Sequence, residues 1–150
     1  MPRRLFGLKT ISLAFKSALS VQGIIFEKSA KAYSKLCALD CNSVFGDSFV
    51  RGDDAVTGIG NNVVLEFDSM DFGDDRASSI TVYGCSHVDN TIHVKFSGPD
   101  GDVNRILEFG KTDSYEEKVF PIEGVSGMNR VSFVFLPGSN FDFKWFRFNR

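Results

Sequence analysis

Val131-Ser132-Phe133-Val134-Phe135-Leu136-Pro137-Gly138-Ser139-Asn140-Phe141-Asp142-Phe143-Lys144-Trp145-Phe146-Arg147-Phe148 lies next to the C-terminus and decides how the chain is read. Val131, Phe133 and Phe135 alternate with Ser132 and Val134. Past the corner, Phe141, Phe143, Trp145 and Phe148 are separated by Asp142, Lys144 and Arg147, with Phe146 directly after Trp145. A period of two held over this length predicts two strands, each with one buried face. The corner Leu136–Asn140 is turn chemistry: Pro fixes φ, Gly reaches positive φ and Asn tolerates the left-handed region. Such an ending closes a β-sandwich. On this reading Phe133, Phe135, Phe141, Phe143 and Trp145 serve the core.

Upstream the same signal recurs. Strand candidates are 23–27, Val63–Phe67, Ser79–Gly84, Thr91–Phe96, Arg105–Phe109 and Glu117–Ile122, with turn residues between them. Ser79–Gly84 and Thr91–Phe96, joined across Val88-Asp89-Asn90, read as a hairpin. Tyr33–Leu39 reads as extended and Asp40–Asp47 as loop. Asp68–Arg76 is an acidic connection without the spacing of a calcium-binding loop. Gly58-Ile59-Gly60 precedes a strand, whereas a dinucleotide fingerprint opens a helix. Arg51-Gly52-Asp53 spells an integrin motif, but three residues match by chance, and the triplet reads as a charged loop. The pattern amounts to about nine to eleven short strands and no long helix, which predicts an all-β fold, an antiparallel β-sandwich or jelly roll.

Composition agrees. A chain of 150 residues suggests one domain, and 16 Phe favour half-buried pleated positions. The net charge of −2 divides unevenly: residues 1–35 carry seven Lys/Arg against one acid, and the rest carries ten against eighteen. An acidic body excludes a nucleic-acid groove, which needs clustered positive charge. No stretch approaches the roughly 20 apolar residues of a membrane-spanning helix, so no membrane partner is expected. The Arg3-Arg4 start invites a signal-peptide reading, but Lys9 and Lys16 interrupt the apolar run it requires. Residues 1–22 therefore read as a leader, linker or upstream-domain remnant, or else as an extra strand or short helix covering a sheet edge. Residues 23–150 read as the sandwich. Localisation stays open: extracellular if the chain belongs to a secreted enzyme.

Chemistry-bearing residues are sparse. Cys37, Cys41 and Cys85 are an odd count and make no disulfide framework. Cys37-x-x-x-Cys41 is half a zinc site with no second half, and two histidines on separate elements are too few for a catalytic zinc, so no metal centre is expected. Cys85-Ser86-His87 pairs a thiol with an imidazole, but no oxyanion hole or orienting group accompanies it, so both read as structural or surface residues. The carboxylate pairs Asp53-Asp54, Asp74-Asp75 and Glu116-Glu117 are adjacent on loops and do not face each other across a cleft as glycoside hydrolysis requires. Tyr115 stands apart. It lies at a loop-to-strand junction among polar residues, where its ring either stacks on a sugar or packs on the core edge with its hydroxyl wet.

From about Gly23 to Phe148 the chain resembles a family 6 carbohydrate-binding module, in the variant appended to bacterial family 2 glycoside hydrolases of the β-galactosidase type. The resemblance is carried by Phe26-Glu27, Gly58-Ile59-Gly60-Asn61-Asn62 leading into Val63–Phe67, Ser79–Ser86, Asn90–Phe96, Tyr115-Glu116-Glu117 and above all Phe135–Phe146. It implies a non-catalytic sandwich that binds an oligo- or polysaccharide and holds a glycoside hydrolase near it. It implies a sugar cleft among loops at one end, with Tyr115 as an aromatic platform and Asp142 at the usual Asn position, Asn140 beside it. Asn61 and Asn62 sit in the loop that precedes the family's other aromatic, where no ring stands here. The family's structural calcium set is incomplete. Glu27 is the one candidate ligand remaining, and Lys144 stands where an Asp is usual, so no cofactor is expected. The alternative is a structural or protein-interaction domain of a glycoside hydrolase that binds no sugar.

Overall fold

The computed structural model describes residues 31–99 and 101–150. The expected leader (1–22), its boundary with the sandwich, the strand at 23–27 and Glu27 lie outside the described residues. The chain divides into two units, Met1–Lys31 and Ala32–Arg150, and the sandwich is the second of them.

Its eleven strands in chain order are β1 Leu36–Cys37, β2 Ser43–Phe45, β3 Val50–Arg51, β4 Val56–Ile59, β5 Val63–Asp71, β6 Ala77–Ser86, β7 Asn90–Gly98, β8 Gly101–Phe109, β9 Glu116–Val125, β10 Met128–Phe135 and β11 Phe141–Asn149. Among the described residues there is no α-helix, so none long and apolar enough to cross a membrane. Every pairing is antiparallel. One sheet runs β3-β4-β11-β6-β9, with β1 also on β11; the other runs β2-β5-β10-β7-β8. The expected all-β sandwich is what forms.

Alternation explains the layers. In β10, Val131, Phe133 and Phe135 are buried while Ser132 and Val134 are half-buried on the other face. In β5, Val63, Leu65 and Phe67 turn inward. The inward faces meet in an aromatic core. Phe133 contacts Phe67 of its own sheet edge-on at 5.9 Å, and Phe143 and Phe146 of the opposite sheet at 5.2 and 4.8 Å. Edge-on and tilted rings at these distances are the favoured aromatic geometry.

Three expectations are corrected. Ser79–Gly84 and Thr91–Phe96 do not form a hairpin: β6 pairs with β11 and β9, and β7 pairs with β10 and β8. The Val88–Asn90 turn carries the chain from one sheet to the other; local alternation cannot distinguish that from a hairpin. Strand also reaches into expected loops, as β2, as β3 with Arg51, and as β5 extending to Asp71. Third, Trp145 is not in the core. Between Phe143 and Trp145 the β11 strand advances two residues while β6 advances one, from Gly84 to Tyr83. Lys144 is the extra residue of a β-bulge, so Trp145 stays on the outer face and Phe146 and Phe148 turn inward, each at most 1% exposed.

The Leu136–Asn140 corner links β10 to β11 across the sandwich. It closes with the Ser139 N–H donating to the Leu136 carbonyl at 3.1 Å, and Gly138 takes φ +92°.

Candidate carbohydrate site

One end of the six-stranded sheet gathers most of the polar chemistry. Asp142 starts β11 with its side chain outward. Its register partner is Cys85, near the end of β6, and His87 lies two residues further on. His87 Nε2 meets Asp142 Oδ2 at 2.9 Å, and the His87 N–H donates to the Asn140 carbonyl at 2.9 Å. Asp142 Oδ1 accepts the Gly58 N–H at 2.9 Å. That donor is available because β4 carries its own bulge: Phe141 and Phe143 of β11 pair with Ile59 and Val56, three residues apart. Gly58 adopts φ +58° there, and a Cβ at this position would meet nothing within 4 Å. The wall beside Asp142 is thus open.

Tyr115 enters from the other side, on the loop before β9. The loop is clipped to the end of β6: the Ser86 N–H donates to Thr112 Oγ1 at 3.0 Å and the Thr112 N–H returns to the Ser86 carbonyl at 2.8 Å. The Lys111 N–H donates to Asp89 Oδ1 at 3.0 Å. Tyr115 then joins a row of rings on the outer face of the sheet. Trp145 and Tyr83 are stacked at 5.3 Å with 25° between planes, and Tyr83 and Tyr115 follow at 5.5 Å and 31°. Lys144 Nζ lies 4.6 Å from the Tyr115 centroid and 5.9 Å from that of Tyr83, in the notch between them. It also pairs with Asp54 at 3.4 Å. Burial first, then the Asp142 carboxylate and weaker contributions from Cys85, Asp54 and Tyr83, push the Tyr115 hydroxyl up to about 12. The phenol stays protonated, a hydrogen-bond donor, at any physiological pH.

A cluster of aromatic rings beside carboxylate, amide and ammonium groups suits a sugar, whose faces are apolar and whose rim is hydroxyl. The family model for carbohydrate binding module (family 6) matches residues 42–150. The chain belongs to that family. Among solved structures it is similar to a family 6 module of Clostridium stercorarium in complex with cellobiose, at 25% identity over 79% of this chain and 95% of that one, with a TM-score of 0.70. The module of Clostridium cellulolyticum in complex with xylose shares 22% identity over 79% and 98%, with a TM-score of 0.68. A β-1,3-glucan-binding module from Bacillus halodurans shares the fold at 18% identity over 79% and 97%, TM-score 0.67. No curated protein matches. The chain is thus a β-sandwich of a non-catalytic, carbohydrate-binding family.

The residues singled out from sequence fall into two groups. Tyr115 and Asp142 are neighbours. Asn140 is exposed beside them, its backbone held by His87 and by Asn90 Oδ1 at 3.2 Å, while its side chain has no hydrogen bond among the described residues. Asn61 and Asn62 are engaged in the fold. Asn61 Oδ1 accepts the Gly138 N–H at 2.8 Å and so ties down the β10–β11 corner. Asn62 takes φ +56° and reaches Asp47 at 3.4 Å. Five residues escaped sequence reasoning as members of this site: His87, Tyr83, Lys144, Trp145 and Gly58. The doubled aromatic Trp145-Phe146, which breaks the alternation, was the available sign of the bulge that turns Trp145 outward. Nothing in the sequence marks His87 as the partner of a residue 55 positions away.

Proposed function

We propose that the module binds a glycan at this end of the six-stranded sheet and so keeps a parent or attached glycoside hydrolase at its polysaccharide. The observation that carries the reading is the juxtaposition of the Tyr115 ring with Asp142 and the uncommitted side chain of Asn140. A pyranose face stacks on Tyr115, with the Tyr83–Trp145 pair stiffening the platform from behind. Its hydroxyls bond to Asn140, Asp142 and Lys144. Two acceptor sites of the Asp142 carboxylate are used by Gly58 and His87, and an ionised carboxylate offers about four. Affinity electrophoresis and calorimetry against galactans, glucans, xylans and host-type glycans provide the test. Wild type is expected to bind at least one of them, and Tyr115→Ala to lose about 1–3 kcal/mol of binding free energy, the scale of an aromatic stack. No binding to any glycan, or undiminished binding by Tyr115→Ala, refutes the site.

A second reading has one observation in its favour: Asn61, Asn62 and Val63 carry no ring, so that loop brings no second aromatic to face Tyr115. On that reading the sandwich packs against a catalytic domain and binds no sugar. It predicts a stable complex with the parent enzyme and no response to any glycan in the same panel.

A further inference from the structure

Cys85 has an unusual position for a buried thiol. It is 7% exposed, yet it stands apart from the cluster of side chains that forms the core. Its register pairing with Asp142 puts both side chains on the outer face of the sheet, and His87, at i+2, shares that face. One potential ligand atom from each of the three, a thiol sulfur, an imidazole nitrogen and a carboxylate oxygen, lies within 4.8 Å of the other two. The Cys85 thiol has no hydrogen-bond partner among the described residues. Neither the family fold nor the glycan reading gives these three groups a joint role.

We propose that Cys85, His87 and Asp142 bind a divalent transition-metal ion of the zinc type. Thiolate and imidazole are the ligands such an ion prefers, and three protein ligands leave a fourth tetrahedral position to water. Bonds of about 2.0–2.3 Å put tetrahedral ligand atoms about 3.3–3.8 Å apart, so small side-chain rotations close the present arrangement. The second oxygen of Asp142 is already held by the Gly58 N–H, the kind of outer contact that fixes a ligand's orientation. The His87 backbone is anchored to Asn140. Entry of the ion replaces the contact between His87 Nε2 and Asp142 Oδ2. A neutral imidazole binds through Nε2 and carries its proton on Nδ1, and the Cys85 thiol releases its proton to solvent. Thiolate and carboxylate then balance the +2 charge. Calcium does not suit the site, because it takes about six to eight oxygen ligands.

The experiment is a titration of zinc, and separately cobalt(II), into metal-free protein without sugar. Expected are one ion per chain, a thiolate-to-cobalt charge-transfer band, and protection of one thiol from alkylation by zinc. Cys85→Ser should abolish the band, and His87→Ala should weaken zinc at least about tenfold, since even outer-shell changes weaken metal sites by that much. Cys37→Ser and Cys41→Ser should leave the band intact. His87 is exposed, so its variant keeps a readout even if Cys85→Ser folds poorly. Absence of a bound ion, or zinc binding and a cobalt band that survive Cys85→Ser, overturns the proposal and leaves an ordinary surface His–Asp pair. Glycan binding is measured on chelator-treated protein, so the two proposals fail separately.

Discussion

Among single residues, Tyr115 has two separable parts. Its ring is the platform proposed for a sugar, and its hydroxyl is a proton donor held neutral. With a folded pKa of about 12 against an ordinary 10.0, the folded state keeps a proton that the unfolded chain loses between those values. Its contribution to stability is therefore complete below about pH 10 and declines as pH rises to about 12. Tyr115→Phe should flatten that part of the stability profile, measured by urea denaturation at stepped pH, and remove one late phenol from the ultraviolet titration. A variant that declines as steeply as wild type over that window would contradict the assigned shift. Tyr115→Phe should also keep more glycan affinity than Tyr115→Ala, because it retains the ring. That Tyr115 stands among polar residues at a loop-to-strand junction was legible in the sequence. Its neighbours Tyr83 and Lys144 were not, because they reach it from strands that are adjacent only in the folded sheet.

Among the strands, the bulge in β11 sets which aromatic faces out. Phe141, Phe143, Phe146 and Phe148 face inward only because Lys144 and Trp145 together oppose one position on β6. Deleting Lys144 restores strict alternation without moving any of the four Phe off the core face, so that variant should fold with a modest loss of stability. Deleting Arg147 instead sends Phe148 to the outer face, and that variant should be severely destabilised, because a one-residue slip reverses the buried face. Comparing the two by thermal melting tests the bulge; equal loss would argue against it. Next to it, Gly84 is fitted under its neighbours. A Cβ there would strike the Phe141 ring and come within 2.8 Å of the Asp142 carbonyl oxygen. Gly84→Ala should cost about 1–3 kcal/mol by overpacking, read by chemical denaturation, while displacing Asp142. The long strands β5 to β11 were legible from their period, and the short β2, β3 and β4 were not. The bulges and the strand partners were not, since pairing is a long-range property that alternation leaves open.

Across the sandwich as a whole, the two sheets share one aromatic core, and Phe133 is at its centre. It touches Phe67 in its own sheet and Phe143 and Phe146 in the other. Phe133→Ala should cost about 3–5 kcal/mol, and both sheets should lose structure in one transition because the contacts join them. Separate transitions by near- and far-ultraviolet dichroism would show the layers to be independent. The order of amino acids was enough for the all-β class, the inward Phe and the turn at Leu136–Asn140, because strand periodicity and turn chemistry are local properties of a polypeptide. It took the folded chain to establish that β6 and β7 part into different sheets, that Trp145 faces outward, and that Cys85, His87 and Asp142 meet beside Tyr115. These depend on the register between strands far apart in the chain, set by the burial of the whole core.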